Sequence, residues 1–522
     1  MTDFLNLVKM EQNVYTENGA AEYTTSGNDL VDLNFSVPEI RKSVIEKNTK
    51  ALQMFKSKFF SSYNKDPMYT LKWLMYLRDI KHGMGERDSF RFLFQYLSEL
   101  DADITIQLIR NGKIQELGRW DDLIDLAYCT SSKYVEEECL SVIESQLYID
   151  CDNTIHHKPI SLLAKWMPSI NTSSKETKAK GIYLKRKLGI KSSTYRKLLS
   201  FLRNYSNVLE TKTSSNRWDS IEYGAVPSLA NIKYMEAFMR HDGERRKEYL
   251  KNVSEGKEQI HANSMFLYDI VRKYLDEFDD VKYEDDTLEA LWQNQNPPNG
   301  LLDKCLVIRD GSGSMCAPIN KGLTAAYVAD SITLYCAEHC KSKEFKNKFI
   351  TFSSHPEIVD VSMYNTLHDK LIALKGYDDC SNTDIEAVFM LILNTAIKNH
   401  LPQEDLPENL IIISDMEFDQ ATYVSSNDSD KLFDAISDKY KENGYKLPRL
   451  IFWNVNSRSG GIPMTKNDNG LVLVSGFSKI IVDMICNGSL DPYESLVKIL
   501  DKLYPEIEKL FINNTSNTIL DE

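Results

Sequence analysis

The spacing of apolar residues changes near residue 300 of the chain. Before that point apolar positions recur at intervals of three and four, as on one face of a helix, and strand-like alternation is scarce. Successive helices without intervening strands are typical of a helical-repeat layer. The pattern predicts helices from about residue 38 to 59 and at 67–77, 90–100, 102–111, 120–126, 134–149, 161–166, 175–188, 193–204 and 265–276.

After residue 300, short apolar runs alternate with helical stretches, which predicts an α/β domain with a mostly parallel sheet. The predicted strands lie at 306–308, 349–352, 357–361, 410–414, 450–454 and 471–474. The predicted helices lie at 319–340, 363–374, 384–399, 430–443, 479–485 and 492–503. We therefore divide the chain into a polar leader (1–30), an all-α helical-repeat domain (31–291), a linker rich in Asn and Pro (292–300), an α/β domain (301–510) and a polar tail (511–522).

Charge and composition restrict the class of protein. The formal net charge of −14 argues against wholesale coating of nucleic acid, but residues 151–200 hold 11 basic and 2 acidic side chains. The first 17 residues do not have the pattern of a signal peptide, and no apolar run approaches the ~20 residues of a membrane span. Nine cysteines without paired spacing favour reduced thiols. We expect a cytoplasmic, monomeric protein that does not contact a membrane.

A candidate metal site follows the predicted strand at 306–308. There the chain reads Asp310-Gly311-Ser312-Gly313-Ser314, which turns off the strand end and directs three oxygen-bearing side chains at one spot. Hard oxygen donors with one formal charge suit Mg²⁺ or Mn²⁺ better than Zn²⁺. Taken alone, the string also fits an ordinary turn between a strand and a helix.

Two further positions fall where such a site needs them. Thr383 precedes a predicted helix and Asp415 ends a predicted buried strand, so both are expected at the carboxyl edge of the sheet, where ligands bind in this architecture. Each has a simpler interpretation, Thr383 as a helix cap and Asp415 as a strand-end acid. Residues 300–510 nevertheless resemble a von Willebrand factor A domain, a Rossmann-like α/β fold, with its metal-ion-dependent adhesion site.

That resemblance implies roles for the five residues. Ser312, Ser314 and Thr383 would bind the metal directly, and Asp310 and Asp415 would act through water. One coordination position would remain open for the carboxylate of a partner protein.

Six short strings recur as a recognisable set along the chain: YLRD (76–79), GMGERD (83–88), GRWDDL (118–123), SDMEF (414–418), FWN (452–454) and SGFS (475–478). On these strings the chain as a whole resembles the TROVE (Ro autoantigen) family, in particular a TROVE-like branch found in plants, microbes and large viruses. The resemblance implies a ring of HEAT-like helical repeats closed by the von Willebrand A domain. It also implies binding of small non-coding RNAs and of single-stranded RNA ends.

The basic segment offers independent support for RNA. Cations on helices neutralise phosphates, and Tyr183 and Tyr195 among them are candidates to stack on unpaired bases. A solvated helix surface is the alternative interpretation. For Arg78, Arg87 and Arg119, salt bridges between helices are favoured over RNA contacts. The candidate RNA-binding residues are Lys178, Lys180, Lys185, Arg186, Lys187, Lys191, Arg196, Lys197 and Arg203.

The sequence thus favours a non-enzymatic RNA-binding scaffold with a divalent-metal site. The first alternative is a protein–protein adaptor in which the metal captures an acidic side chain without any RNA. The second is a Mg²⁺-dependent hydrolase in which Glu417 and Asp419 join Asp415 in an acidic cluster. No general base stands at a defined spacing from the site, which disfavours the hydrolase.

Overall fold

The computed structural model describes residues 13–206, 209–276, 280–297, 304–320, 322–352, 356–377, 384–419, 431–458, 461–479, 481–485 and 491–511. These residues form two compact units, each built from separate stretches of chain. The sheet unit comprises the residues up to Trp73 together with Pro227–Lys233 and Ile260–Leu503. The helical unit comprises Leu74–Val226, Tyr234–Gln259 and the residues from Tyr504 onward.

The described chain before residue 300 is mostly helical, as the spacing of apolar residues predicts. Its elements are β1 (Asn13–Tyr15), β2 (Ala21–Tyr23), α1 (Asp29–Phe35), α2 (Val37–Glu46), α3 (Thr49–Lys65), α4 (Pro67–Arg78), α5 (Asp88–Leu100), α6 (Ala102–Arg110), α7 (Lys113–Leu117), α8 (Trp120–Cys129), α9 (Lys133–Ile155), α10 (Leu163–Trp166), α11 (Lys175–Lys187), α12 (Ser192–Tyr205), α13 (Leu209–Ser214), α14 (Ser228–Ser254), α15 (Tyr268–Tyr274) and α16 (Asp286–Gln293).

After residue 300 strands and helices alternate, and the prediction of an α/β arrangement is confirmed. The elements are β3 (Cys305–Asp310), β4 (Pro318–Asn320), β5 (Leu323–Thr324), α17 (Ala325–Glu338), β6 (Lys348–Phe352), β7 (Glu357–Asp360), α18 (Leu367–Lys375), α19 (Ile385–Lys398), β8 (Asn409–Ser414), α20 (Leu432–Glu442), β9 (Arg449–Asn454), β10 (Leu471–Ser475), α21 (Ile481–Ile485) and α22 (Pro492–Leu503).

The central sheet has the strand order β10-β9-β8-β3-β6-β7. Neighbouring strands run parallel except β7, which is antiparallel to β6. The four central strands are buried almost throughout, as expected for a sheet covered on both faces. Because β3, β8 and β9 are parallel and in register, Asp310, Ser414 and Asn454 end their strands at the same edge, hereafter the carboxyl edge.

The N-terminal segment packs against this sheet. The hydroxyl of Thr16 donates to the carbonyl of Phe418 (2.6 Å), and β2 continues into a bridge between Tyr23 and Ile462. Helix α1 lies beside β10, where Asn34 Nδ2 donates to a strand carbonyl. The sequence places part of this segment in a leader and part in the helical-repeat domain, because local patterns do not reveal contacts made with the other end of the chain.

Amphipathic spacing and side-chain caps explain the helices. In α5, Phe90, Leu93, Phe94 and Leu97 recur at the helical interval and are all buried. Helix α1 begins at Asn28, whose side chain accepts hydrogen bonds from two free backbone N–H groups of the first turn. Local sequence is therefore sufficient to set many of these boundaries.

Buried ion pairs join helices of the helical unit. Arg78 pairs with Asp122 (2.7 Å), and both side chains are buried. Asp122 also binds Arg91 and accepts the backbone N–H of Arg119. The side chain of Asp79 accepts from the hydroxyl of Tyr504 (2.9 Å). The interpretation of Arg78 as a salt-bridge residue is thus confirmed.

Some elements differ from the prediction. The helix predicted at 319–340 begins only at Ala325, because the preceding residues form the β4–β5 hairpin, and Thr324 then caps the helix. Helices α1, α7, α13, α14 and α16 are not among the helices predicted from the sequence. The backbone of α14 is non-helical at Asp242 (φ −150°, ψ 41°), and this interruption breaks the apolar period across the helix.

Across the described ranges, no helix is both long enough and apolar enough to cross a membrane.

Candidate metal centre and basic surface

The loop after β3 places hydroxyl groups beside a buried carboxylate. Asp310 Oδ1 accepts the backbone N–H of Ser312 (2.9 Å), and Oδ2 accepts the hydroxyl of Ser414 (2.5 Å) at the end of β8. The hydroxyls of Ser312 and Ser314 lie 3.0 Å apart. The loop therefore presents two serine hydroxyls next to the end of a buried strand.

Little room is left for a side chain at the first position of this loop. The N–H of Gly311 donates to the carbonyl of Phe352 (2.8 Å), which draws the backbone close to β6. A Cβ atom at Gly311 would lie 3.0 Å from Thr351 Oγ1 and 3.2 Å from Arg309 Nη1. A larger residue here would require these neighbouring side chains to shift.

Asp415 completes a pair of buried carboxylates at the carboxyl edge. Burial, together with the negative charge of Asp310, raises the pKa of Asp415 to about 7, while Arg458 and a hydrogen bond with Ser314 oppose the shift. Burial also raises the pKa of Asp310. Two carboxylates that disfavour each other's ionisation, beside hydroxyl oxygens, have the chemistry of a site that a divalent cation stabilises.

The structure brings together four of the five predicted metal-site residues. Asp310, Ser312, Ser314 and Asp415 share the carboxyl edge. Thr383 lies outside the described residues. The cap of the following helix is Asp384, whose Oδ1 accepts the N–H of Ala387 (2.9 Å).

The donor set is rich in hydroxyls and poor in charge. Within the described ranges, no group of three or more His, Cys, Asp or Glu side chains is arranged to hold a metal ion. Asp310 and Asp415 contribute the only two carboxylates of the predicted set, and Ser312 and Ser314 contribute hydroxyls. Such a set fits Mg²⁺ or Mn²⁺, which accept oxygen ligands and retain waters, better than Zn²⁺.

Glu417 is engaged by backbone amides. Its Oε2 accepts the N–H of Glu17 (2.8 Å) and its Oε1 accepts the N–H of Arg458 (2.7 Å). The fully buried carboxylate thereby ties the N-terminal segment and the loop after β9 to the end of β8. These bonds explain Glu417 as a structural residue and weaken its assignment to an acidic catalytic cluster.

Arg458 is a functional candidate that the sequence did not reveal. Its Nη2 lies 3.1 Å from Asp415 Oδ2, and its Nη1 lies 2.8 Å from Glu17 Oε2. A guanidinium therefore stands beside the carboxylates of the candidate metal centre. No motif surrounds Arg458, so only the fold relates it to Asp415.

A second arginine lies within the sheet itself. Arg309 occupies a strand position where an apolar residue is expected, and it is fully buried. Its guanidinium binds Asp330 of α17 (2.6 Å), and Lys375 of α18 approaches the other oxygen of that carboxylate (3.0 Å). The buried charge is thus compensated, which reconciles Arg309 with a core strand.

In the helical unit, α11, α12 and the residue before α12 carry a group of available cations, hereafter the basic surface. The basic surface consists of Lys178, Lys185, Arg186, Lys191, Arg196 and Lys197. None of these six residues forms an ion pair with another residue that the structure describes. Five of them are exposed, and Lys185 is half-buried.

The other three predicted RNA-binding residues have partners within the protein. Lys180 pairs with Asp125, and Lys187 pairs with Glu136 (2.5 Å). The guanidinium of Arg203 donates to the carbonyls of Ala164 and Met167 and to a serine hydroxyl. These three cations stabilise contacts between helices, which leaves them less available to phosphate.

The two tyrosines among these cations are also engaged. Tyr195 is fully buried and donates its hydroxyl to the carbonyl of Pro168 (2.9 Å). Tyr183 is half-buried and hydrogen-bonds to Glu136 (2.6 Å). The expectation that Tyr195 stacks on RNA bases is therefore wrong, because its ring fills the core under the basic surface.

Comparisons with known proteins find similarity in both parts of the chain. Residues 304–503 match a domain of unknown function (DUF7788), and residues 172–295 match another (DUF2828). An uncharacterised protein of Acanthamoeba polyphaga mimivirus is 27% identical over 97% of this chain and 91% of its own length. The crystal structure of the Ro (RSR) protein of Deinococcus radiodurans aligns with 82% of this chain and 98% of its own at 11% identity, with a TM-score of 0.36.

Proposed function

We propose that this protein is a non-catalytic RNA-binding scaffold and that the basic surface of the helical unit contacts the phosphates. The observation that carries the proposal is a set of six cations on consecutive elements of an otherwise acidic chain, none of which pairs with an acid among the described residues. Cations that have no internal partner can neutralise RNA phosphates, and the RNA then releases its condensed counterions. Single-stranded or structured RNA is the expected ligand.

We further propose that the helical unit is a HEAT-like ring of the TROVE type and that the sheet unit is a von Willebrand A domain. The support for the second assignment is a mostly parallel sheet whose carboxyl edge carries Asp310, Ser312, Ser314 and Asp415. The strings shared with the TROVE family support the first.

The metal centre gives the sheet unit a separate binding role in this proposal. Asp310, Ser312, Ser314 and Asp415, with Thr383 as the fifth residue, would hold Mg²⁺ or Mn²⁺. The metal would supply an open position for an acidic side chain of a protein partner. The buried pair Asp310 and Asp415 favours this second candidate function, a metal-dependent adaptor, which is compatible with RNA binding elsewhere on the chain.

RNA binding is tested by charge reversal within the basic surface. The variant Arg186→Glu/Lys197→Glu is compared with Arg240→Glu/Lys251→Glu, which makes the same charge change at exposed positions of α14 in the same unit. Fluorescence anisotropy of a labelled single-stranded RNA and of a labelled hairpin is measured over a range of salt concentrations.

We expect the first variant to bind RNA at least ~10-fold more weakly, with a smaller dependence of affinity on salt. The α14 variant should bind nearly as the unmodified protein does. Equal weakening in both variants would show a nonspecific response to net charge and would contradict the assignment of the basic surface. Cleavage of the RNA that requires Mg²⁺ and disappears in Asp415→Ala would contradict the non-catalytic proposal.

A further inference from the structure

A cavity of about 390 Å³ opens beside the candidate metal centre in the sheet unit. Its walls come from α2, α3, the N-terminal segment and the loop after β9. This volume lies within the range of sites that bind small organic ligands. Arg458, which lines the cavity, also pairs with Asp415, so the cavity and the metal centre share one side chain.

The cavity has three cations on its walls. Lys42 of α2 and Lys58 of α3 are half-buried and form no ion pair with any residue that the structure describes, although the charge of Lys58 acts on Glu39. Arg458 lines the cavity from the loop after β9. A half-buried ammonium group that forms no direct ion pair has lost part of its hydration and has gained little in return. An anion bound in the cavity would supply the missing ion pair.

The two carboxylates of the cavity oppose this charge only in part. Burial raises the pKa of Glu39 to about 7, and a hydrogen bond from Asn454 and the charge of Lys58 oppose the shift. Near neutral pH Glu39 is therefore only partly ionised, and Glu46 at the rim is exposed. The charge of Arg458 is shared with Asp415 and Glu17. The two lysines nevertheless exceed the combined charge of Glu46 and the partly ionised Glu39.

One wall of the cavity is apolar. Phe55 is buried and Met54 is half-exposed, and both belong to α3, the helix that carries Lys58. An apolar wall facing cations suits a ligand with an anionic end and a flat or apolar body. Three cations that line one cavity favour a phosphate dianion over a single carboxylate.

We infer that this cavity binds a small phosphomonoester of nucleotide size, with the phosphate between Lys42, Lys58 and Arg458 and the organic part against Met54 and Phe55. This ligand is distinct from RNA on the basic surface and from a carboxylate on the metal. The inference stands whether or not the chain binds RNA.

The test uses the full chain and adenosine 5′-monophosphate as the probe, with adenosine and inorganic phosphate as comparators. Titration calorimetry is performed in EDTA and in a phosphate-free buffer, so that the metal centre does not contribute. Lys58→Ala and Lys42→Ala/Lys58→Ala are compared with Lys50→Ala. Lys50 is an exposed lysine on the same helix and does not line the cavity.

We expect saturable binding of the monophosphate that is at least ~10-fold weaker in the double variant and unchanged in Lys50→Ala. Adenosine should bind more weakly than its monophosphate. Absence of saturable binding by the unmodified protein, or equal affinity in the double variant, would overturn the inference. If the double variant does not fold, Lys58→Gln provides the same comparison at one position.

The variant Arg186→Glu/Lys197→Glu separates this inference from the proposed function. It should lose RNA and keep the monophosphate. If the unmodified protein binds the monophosphate but not RNA, only the RNA proposal is refuted. If it binds RNA but not the monophosphate, only the cavity inference is refuted.

Discussion

Arg458 Nη2 lies 3.1 Å from Asp415 Oδ2, and this ion pair joins the loop after β9 to the end of β8. Asp415 is fully buried and has Asp310 as a like-charged neighbour. The guanidinium therefore supplies part of the positive charge that the paired carboxylates need when no cation is bound. A divalent cation in the candidate metal centre would compete with it.

Replacing Arg458 should have opposite effects on stability and on metal affinity. In EDTA, Arg458→Met leaves the buried carboxylates less compensated, and we expect a loss of roughly 1–3 kcal/mol in the free energy of unfolding. The same change removes a positive charge next to the metal and should strengthen Mn²⁺ binding several-fold. Urea unfolding and Mn²⁺ titration followed by electron paramagnetic resonance measure the two quantities.

The control for both measurements is Lys446→Met, at an exposed position shortly before β9. It should change neither the free energy of unfolding nor the affinity for Mn²⁺. Weaker Mn²⁺ binding in Arg458→Met would mean that the arginine supports the metal site instead of competing with it.

Asp310→Asn tests the metal centre without creating a cavity. The amide keeps the size of the side chain but removes a charge, so we expect Mn²⁺ affinity to fall at least ~10-fold. In EDTA the variant should unfold at a temperature no lower than the unmodified protein, because the repulsion between Asp310 and Asp415 is relieved. Ser362→Ala, at an exposed serine of the same unit, serves as the control.

Unchanged Mn²⁺ affinity in a folded Asp310→Asn variant would remove this residue from the metal site. A large loss of thermal stability in EDTA would instead assign Asp310 a structural role, through its bonds to Ser312 and Ser414.

Glu39 should make stability depend on pH. Burial raises its pKa in the folded protein from 4.5 to about 7, so between these values the folded state binds more protons than the unfolded state. Stability should therefore fall as pH rises from about 4.5 to 7, by up to roughly 2–3 kcal/mol, and change little above that range. Glu39→Gln should be more stable than the unmodified protein at pH 8 and should lose this part of the pH dependence.

Urea unfolding at several pH values between 4.5 and 8.5 measures the effect. Glu46→Gln, at an exposed glutamate of the same helix, should leave the pH profile unchanged. A Glu39→Gln profile parallel to that of the unmodified protein would contradict the raised pKa.

Asp122 should be among the most sensitive positions of the helical unit. Asp122→Ala would leave the buried guanidinium of Arg78 without its carboxylate and would remove partners of Arg91 and of the backbone N–H of Arg119. We expect a loss of roughly 3–5 kcal/mol in the free energy of unfolding. Asp103→Ala in α6 is the control, and a loss below ~1 kcal/mol for Asp122→Ala in urea unfolding would refute the assignment.

The sequence predicted the elements of the sheet well, because buried parallel strands leave continuous apolar runs such as 410–414. It also predicted that Asp310, Ser312, Ser314 and Asp415 share an edge, since parallel strands end on the same side. It could not predict Arg458, whose relation to Asp415 depends on the path of a loop that has no periodicity.

The basic segment shows a different kind of limit. Spacing along a helix does not reveal which acids a neighbouring helix presents. The sequence therefore does not distinguish Lys187, which pairs with Glu136, from its neighbour Arg186. Similarly, the aromatic ring of Tyr195 could be assigned to the core only once its neighbours were known.

The hydrogen bond between Thr16 and Phe418 spans 402 positions of the chain. A nascent polypeptide emerges from the ribosome N-terminus first, so the segment around Thr16 must wait for 402 further residues before Phe418 exists to receive its hydrogen bond. Until then the apolar side of α1 has no sheet to cover it, and molecular chaperones have a long interval in which to bind it. Transcripts that end prematurely would yield chains in which this segment never acquires its partner.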